Sequence, residues 1–162
     1  SIFSVMWVKL SKIGKNPSIP LKFCFGIVQL ALGFLLTQVG FQFVNEAYQV
    51  PLITLVFLYM LHTTGELFLS PIGLSMVTKL SPKSMAGTAM GAWFLSFAIA
   101  NYVGGKIASL TGGHGGGEAT SAESGLLQYL DTFATIGYVL LTIAAIIFIL
   151  NKPIQKLMHG VE

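Results

Sequence analysis

Arginine is absent from this 162-residue chain, and charge of either sign is scarce. Nine lysines and six acidic residues make up 9% of it, where soluble domains carry about 25% charged residues. A surface wetted on all sides is therefore excluded. Arginine is the usual residue for bidentate phosphate contacts. Its absence, and the lack of a basic cluster interleaved with aromatics, argue against nucleic acid as a partner. The single cysteine, Cys24, cannot close an internal disulfide and says little about redox compartment. There is no initiator Met and no signal-peptide pattern. Ser1 opens directly into "SIFSVMWVKL", which reads as the tail of an apolar helix, so we expect a piece of a longer chain.

What the chain has instead is apolar sequence in long runs. Hydrophobic residues make up 54% of it, with twelve Phe and six Met. A helix crossing the hydrocarbon layer needs about 20 mainly apolar residues. Four runs qualify, 23–43, 51–80, 85–105 and 126–150, and the stretch 2–8 is a half-length fifth. Barrel strands would show short alternating segments. Continuous runs predict helices, which pair their own backbone groups in lipid. The expected architecture is an all-α polytopic membrane domain over 1–162. Its helices fall near 1–10 (partial), 21–43, 51–80, 84–110 and 126–151, with a Gly-rich loop at 111–125.

Eight of the nine lysines fall on alternate loops: Lys9, Lys12, Lys15 and Lys22 precede the first full run, Lys79 and Lys83 follow the second, and Lys152 and Lys156 follow the last, with Lys106 the exception near the end of the third run. The other two loops hold Glu46, Glu118 and Glu123. The positive-inside rule places the lysine-bearing loops and the C-terminus in the cytoplasm. The Gly-rich loop lacks the G-x-x-x-x-G-K-[ST] spacing of a phosphate cradle and reads as a flexible external connection. Gly26, Gly33 and Gly40 recur every seven residues, and Gly87 and Gly91 form a G-x-x-x-G pair. Both patterns predict close helix packing.

Glu66 is the residue out of place. It lies near the centre of the run 51–80, and its helix face includes Tyr59, His62, Thr63, Ser70 and Gly73. An acidic side chain at a helix centre costs about 2.5–3.5 kcal/mol or more in lipid, and such residues mark functional sites. The carboxylate can take up a proton or accept a cation, and a site alternating between the two makes a coupled carrier. The bland alternative is a hydrogen bond to a neighbouring helix. Pro71 leaves the Leu67 carbonyl without its usual donor and permits a kink, passive or gating. His62 and Glu66 are spaced i, i+4, but no further metal ligands accompany them, so no metal site is expected and His62 reads as a hydrogen-bonded histidine. Trp93, Phe97 and Asn101 follow at i, i+4 and i+8 on the next helix. They read equally as pocket wall or as helix packing. No nucleophile–base pair or metal triad appears, so no enzyme is expected.

Two segments, "GELFLSPIGLSMVTKLSP" (65–82) and "GTAMGAWFLSFAIANYVGGK" (87–106), resemble the tenth and eleventh helices of the proton-dependent oligopeptide transporters of the major facilitator superfamily. "NPSIPLKF" (16–23) is similar to the loop before that family's ninth helix. The resemblance covers most of residues 1–106, and the last helix matches in placement only. Ser81 stands where Ala is common, and Ala100 where Gly is common.

The resemblance implies the C-terminal part of a helical bundle in a bacterial inner membrane, from the end of helix eight to helix twelve. It implies proton-coupled symport of di- and tripeptides, with protons as the coupling ion and no other cofactor. Glu66 would receive the peptide's amino terminus, Ser70 would line the pocket, Trp93 would border it, and Asn101 would supply a polar group. Residues 75–91 would form part of an inner gate. The family's acidic motif on its first helix, and the basic residues that take the peptide carboxylate, are not in this chain. Beyond small peptides and the lipid bilayer, the implied partner is therefore the N-terminal helices of the same transporter. A same-fold carrier of another solute such as nitrate, or a non-transporting membrane subunit, remains open.

Overall fold

The computed structural model of the protein describes residues 2–14, 16–111 and 121–158. Five α-helices follow one another: α1 (Ile2–Lys12), α2 (Ile19–Phe41), α3 (Leu52–Leu80), α4 (Ala86–Thr111) and α5 (Ala122–Leu157). A single 3-10 turn, Lys83–Met85, leads into α4. No strand occurs among the described residues. Most of the Gly-rich loop, with His114 and Glu118, lies outside them, as does His159.

Among the described residues, three stretches are long and apolar enough to cross a membrane: Ile19–Phe41, Leu52–Leu80 and Glu123–Leu157. The fourth expected span, α4, has the length at 26 residues but is less apolar. Four glycines, Ser96 and Asn101 dilute its hydrophobic residues.

Helix ends follow local chemistry. Pro20 sits in the first turn of α2, where a missing N–H costs nothing, and the helix starts at Ile19. At α5, a run expected over 126–151 becomes a 36-residue helix. Ser121 and Ser124 cap it reciprocally, with the Ser124 N–H donating to Ser121 Oγ at 3.2 Å. The last five residues of the expected loop are thereby drawn into the cap and first turn. At 1.5 Å per residue α5 is about 54 Å long, well beyond a hydrocarbon layer of about 30 Å. Proline interrupts neither long helix. α3 is continuous through Pro71 and α5 through Pro153.

α2 is the hub, antiparallel to both α3 and α5. Against α5, Ser18 Oγ donates to Asn151 Oδ1 (2.7 Å), Cys24 Sγ to the Ala144 carbonyl (3.4 Å) and Gln38 Nε2 to the Leu130 carbonyl (2.8 Å). Against α3, the heptad glycines set the spacing. A Cβ on Gly26 would stand 3.1 Å from the Gly65 carbonyl oxygen. One on Gly33 would stand 2.5 Å from His62 Cδ2, and one on Gly40 2.5 Å from Thr54 Cγ2. The α4 glycines differ: nothing lies within 4 Å of a Cβ on Gly87, Gly91, Gly104 or Gly105. Among the described residues, then, the Gly87–Gly91 pair is not a helix contact. α4 instead meets α3 through Trp93, whose indole lies on Gly73.

α1 docks through Trp7, edge-on to Phe68 at 5.3 Å, with Lys22 Nζ 4.9 Å above its ring. Lys22 is otherwise well buried, and the indole face helps to compensate its charge. With α2 antiparallel to α3 and α5, the ends carrying Lys12, Lys79, Lys83, Lys152 and Lys156 lie on one side of the bundle. Glu46 and Glu123 lie on the other.

Candidate functional site

Glu66, Ser70 and Trp93 line one cavity of about 630 Å³ between α2, α3 and α4. α3 adds His62 and Leu69, α4 adds Ser96, Phe97 and Ala100, and α2 adds Phe23, Ile27 and Leu30. α3 presents His62, Glu66 and Ser70 together because 3.6 residues per turn stack positions i, i+4 and i+8 on one face. The other members of the expected polar stripe diverge. Gly73 is buried under Trp93, whereas Tyr59 and Thr63 are exposed and outside the lining.

The Glu66 side chain is exposed within this chain and faces the cavity. No described residue donates a hydrogen bond to its carboxylate or pairs with it. None of the described lysines lines the cavity. The lining therefore carries one acidic group, a few small polar groups and otherwise hydrocarbon. Such walls focus a negative potential at the carboxylate. The complementary guest is a small cation with apolar substituents.

The other polar groups are partly committed. Ser96 Oγ donates to the Trp93 carbonyl (2.6 Å). The Ser70 hydroxyl, one turn from Glu66, makes no hydrogen bond to a described residue. Asn101 lies outside the lining, and its Nδ2 donates to the Phe97 carbonyl (2.8 Å), which leaves Oδ1 as its available acceptor. His62 meets its expected hydrogen-bonded state only in part: its ring faces the Leu30 backbone on α2, but the buried Nε2 closes no well-formed hydrogen bond to a described residue. The ring also packs on Phe34, with centroids 4.5 Å apart. Among the described residues no three His, Cys, Asp or Glu side chains gather as a metal site would require.

The α2 wall was not anticipated from sequence. Phe23, Ile27 and Leu30 look like any lipid-facing residue in an apolar run. The available signal was their adjacency to Gly26 and Gly33, which mark the face turned toward α3.

The sequence profile of a family described as "PTR2: POT family" matches residues 1–119. The chain is 35% identical over 150 residues to dipeptide and tripeptide permease A of Edwardsiella piscicida, covering 93% of this chain and 30% of that one. It is 31% identical over 160 residues to dipeptide and tripeptide permease B of Aeromonas hydrophila subsp. hydrophila, covering 98% and 32%. A crystal structure of a peptide transporter POT in complex with sulfate superposes with a TM-score of 0.78 at 33% identity, covering 98% of this chain and 29% of the other. The chain thus spans about a third of the length of the curated relatives it matches.

Proposed function

Because the chain belongs to the POT family, we propose that it is the C-terminal membrane part of a proton-coupled symporter of di- and tripeptides. The observation that carries this reading is Glu66, a carboxylate that pairs with no described residue and faces a cavity lined by none of the described lysines. A peptide's ammonium is a cation borne on an apolar body, and it fits both features. Glu66 binds the amino terminus, and Ser70 lends a hydroxyl beside it. Trp93 borders the side-chain space, and Asn101 offers Oδ1 from the cavity's edge.

Symport carries proton and peptide inward together, so the proton rides on an acidic group other than the carboxylate that holds the ammonium. The family's first-helix acidic motif, which is not in this chain, is the expected carrier. Alternating access requires a second half beside this one in the membrane, closing the cavity from its other side. That half supplies the cationic groups for the peptide's carboxylate. The lysine-rich end of the bundle is cytoplasmic by the positive-inside rule, which puts the C-terminus on the cytoplasmic side of a bacterial inner membrane. The helix ends around residues 75–91 then belong to the inner gate. An acidic cavity disfavours nitrate and other anions as cargo.

The test is Glu66→Gln in the full-length transporter. Replacing a charge-assisted contact with a neutral one is expected to lower kcat/KM for proton-driven dipeptide uptake about 10- to 100-fold. Undiminished uptake at normal membrane abundance would falsify the assignment.

A further inference from the structure

Trp93 lines two spaces at once. One is the cavity that holds Glu66. The other is a cleft of about 560 Å³ beside the α3 end, bounded by Leu80, Pro82 and Ala89 among others. Among the described residues, only Trp93 and Ser96 border both. Ser96 turns its hydroxyl back onto its own helix at the Trp93 carbonyl. The indole is therefore the partition.

Its position depends on a missing side chain. A Cβ on Gly73 would stand 2.6 Å from Trp93 Cζ2, and Cη2 crowds the same point. Phe23 Cζ lies 3.3 Å from it, so α2 closes the seat from the other side. Phe97 holds the indole edge-on at 5.9 Å and 81°. No room remains for even one added carbon unless the indole moves. On the cleft side the next residues along the α3 face are Met76 and Val77; on the cavity side they are Leu69 and Ser70. Ser70 is the smallest of the four, so an indole lifted off α3 yields toward the cavity.

We propose that Gly73 is a positioning residue that sets cargo size: by leaving a seat for the Trp93 indole, it fixes the partition and so the room available for a peptide's side chains. This rests on the peptide-symport reading and adds a selectivity determinant to it.

The experiment compares uptake of Ala-Ala and Phe-Phe by the full-length transporter. Gly73→Ala is expected to lower kcat/KM for Phe-Phe about tenfold relative to Ala-Ala, the scale of a methylene-sized mismatch in an apolar pocket. In the Trp93→Phe background, where the shorter ring vacates the seat, the same change is expected to move the ratio by less than about twofold, the limit of additive behaviour. A merely structural glycine would lower both uptakes together and would not depend on the ring. An unchanged ratio in Gly73→Ala at normal abundance overturns the proposal, as does an equal shift in the Trp93→Phe background. Should Gly73→Ala fail to reach the membrane, Trp93→Phe must restore its abundance; failure to do so also overturns it.

A cargo-free arm separates this from the parent reading. Absence of dipeptide uptake by the unaltered transporter sinks the peptide assignment alone. With Ala100→Cys in a background free of other cysteines, Gly73→Ala should slow a bulky maleimide about tenfold relative to a small one. Equal slowing of the two reagents counts against the seat whatever the cargo is.

Discussion

Gly26 of α2 and Gly65 of α3 meet backbone to backbone: a Cβ on either would lie 3.0–3.1 Å from the other's carbonyl oxygen. Gly65 directly precedes Glu66, so this crossing fixes the distance of the carboxylate from the α2 wall. Gly65→Val forces the helices apart and is expected to destabilise the protein by about 1–3 kcal/mol, as overpacking does. Thermal unfolding of the purified full-length protein reads this out. Leu32→Val, at an exposed α2 position, should shift the midpoint little.

Asn101 and Glu66 should separate in uptake assays. The Asn101 amide is already spent on Phe97, and a single neutral hydrogen bond is worth about 0.5–1.5 kcal/mol. Asn101→Ala is therefore expected to lower dipeptide kcat/KM by no more than about tenfold, less than Glu66→Gln. A larger loss for Asn101→Ala would mean that the side chain turns into the cavity when cargo binds.

The pair Ser18–Asn151 ties the start of α2 to the end of α5 at 2.7 Å. Asn151→Leu removes the acceptor and is expected to cost about 1 kcal/mol of stability. Ser18→Ala in the Asn151→Leu background should then add little, and a double-mutant cycle on thermal stability checks it.

Tyr48 adopts a left-handed backbone (φ 56°) in a turn held by Asn45, whose Oδ1 accepts from the Ala47 and Gln49 N–H groups at 3.0 Å. Its phenol donates to Glu123 Oε2 at 3.0 Å. That hydrogen bond, with the carboxylate's charge, raises the phenol above its ordinary value near 10. A raised acid favours the fold below its unfolded value, and the contribution is lost as pH climbs through the folded one. Glu123→Gln should move the Tyr48 titration down toward the ordinary value. Ultraviolet difference titration against a Tyr48→Phe control measures it, and coincident curves would rule the contact out.

Long apolar helices were legible in the sequence because lipid demands length and apolarity, which composition displays directly. The heptad glycines of α2 were legible for a related reason, since a residue without a side chain inside an apolar run has few uses besides close approach. The same logic failed at Gly87 and Gly91, where spacing alone does not say which neighbour, if any, arrives. It failed again at both ends of α5, where the Ser121–Ser124 cap and a helix tolerant of Pro153 extend the element past its apolar segment. The α2 wall of the cavity was hidden because Ile27 and Leu30 carry no chemical mark that separates cavity from lipid.

On α2, Phe25, Leu32 and Val39 repeat every seven residues, each one position before a heptad glycine, and all three are exposed. One step of about 100° around the helix thus separates two columns with opposite tolerance to change. Within this chain the first column meets no packing constraint, whereas in the second the vocabulary is a single hydrogen atom.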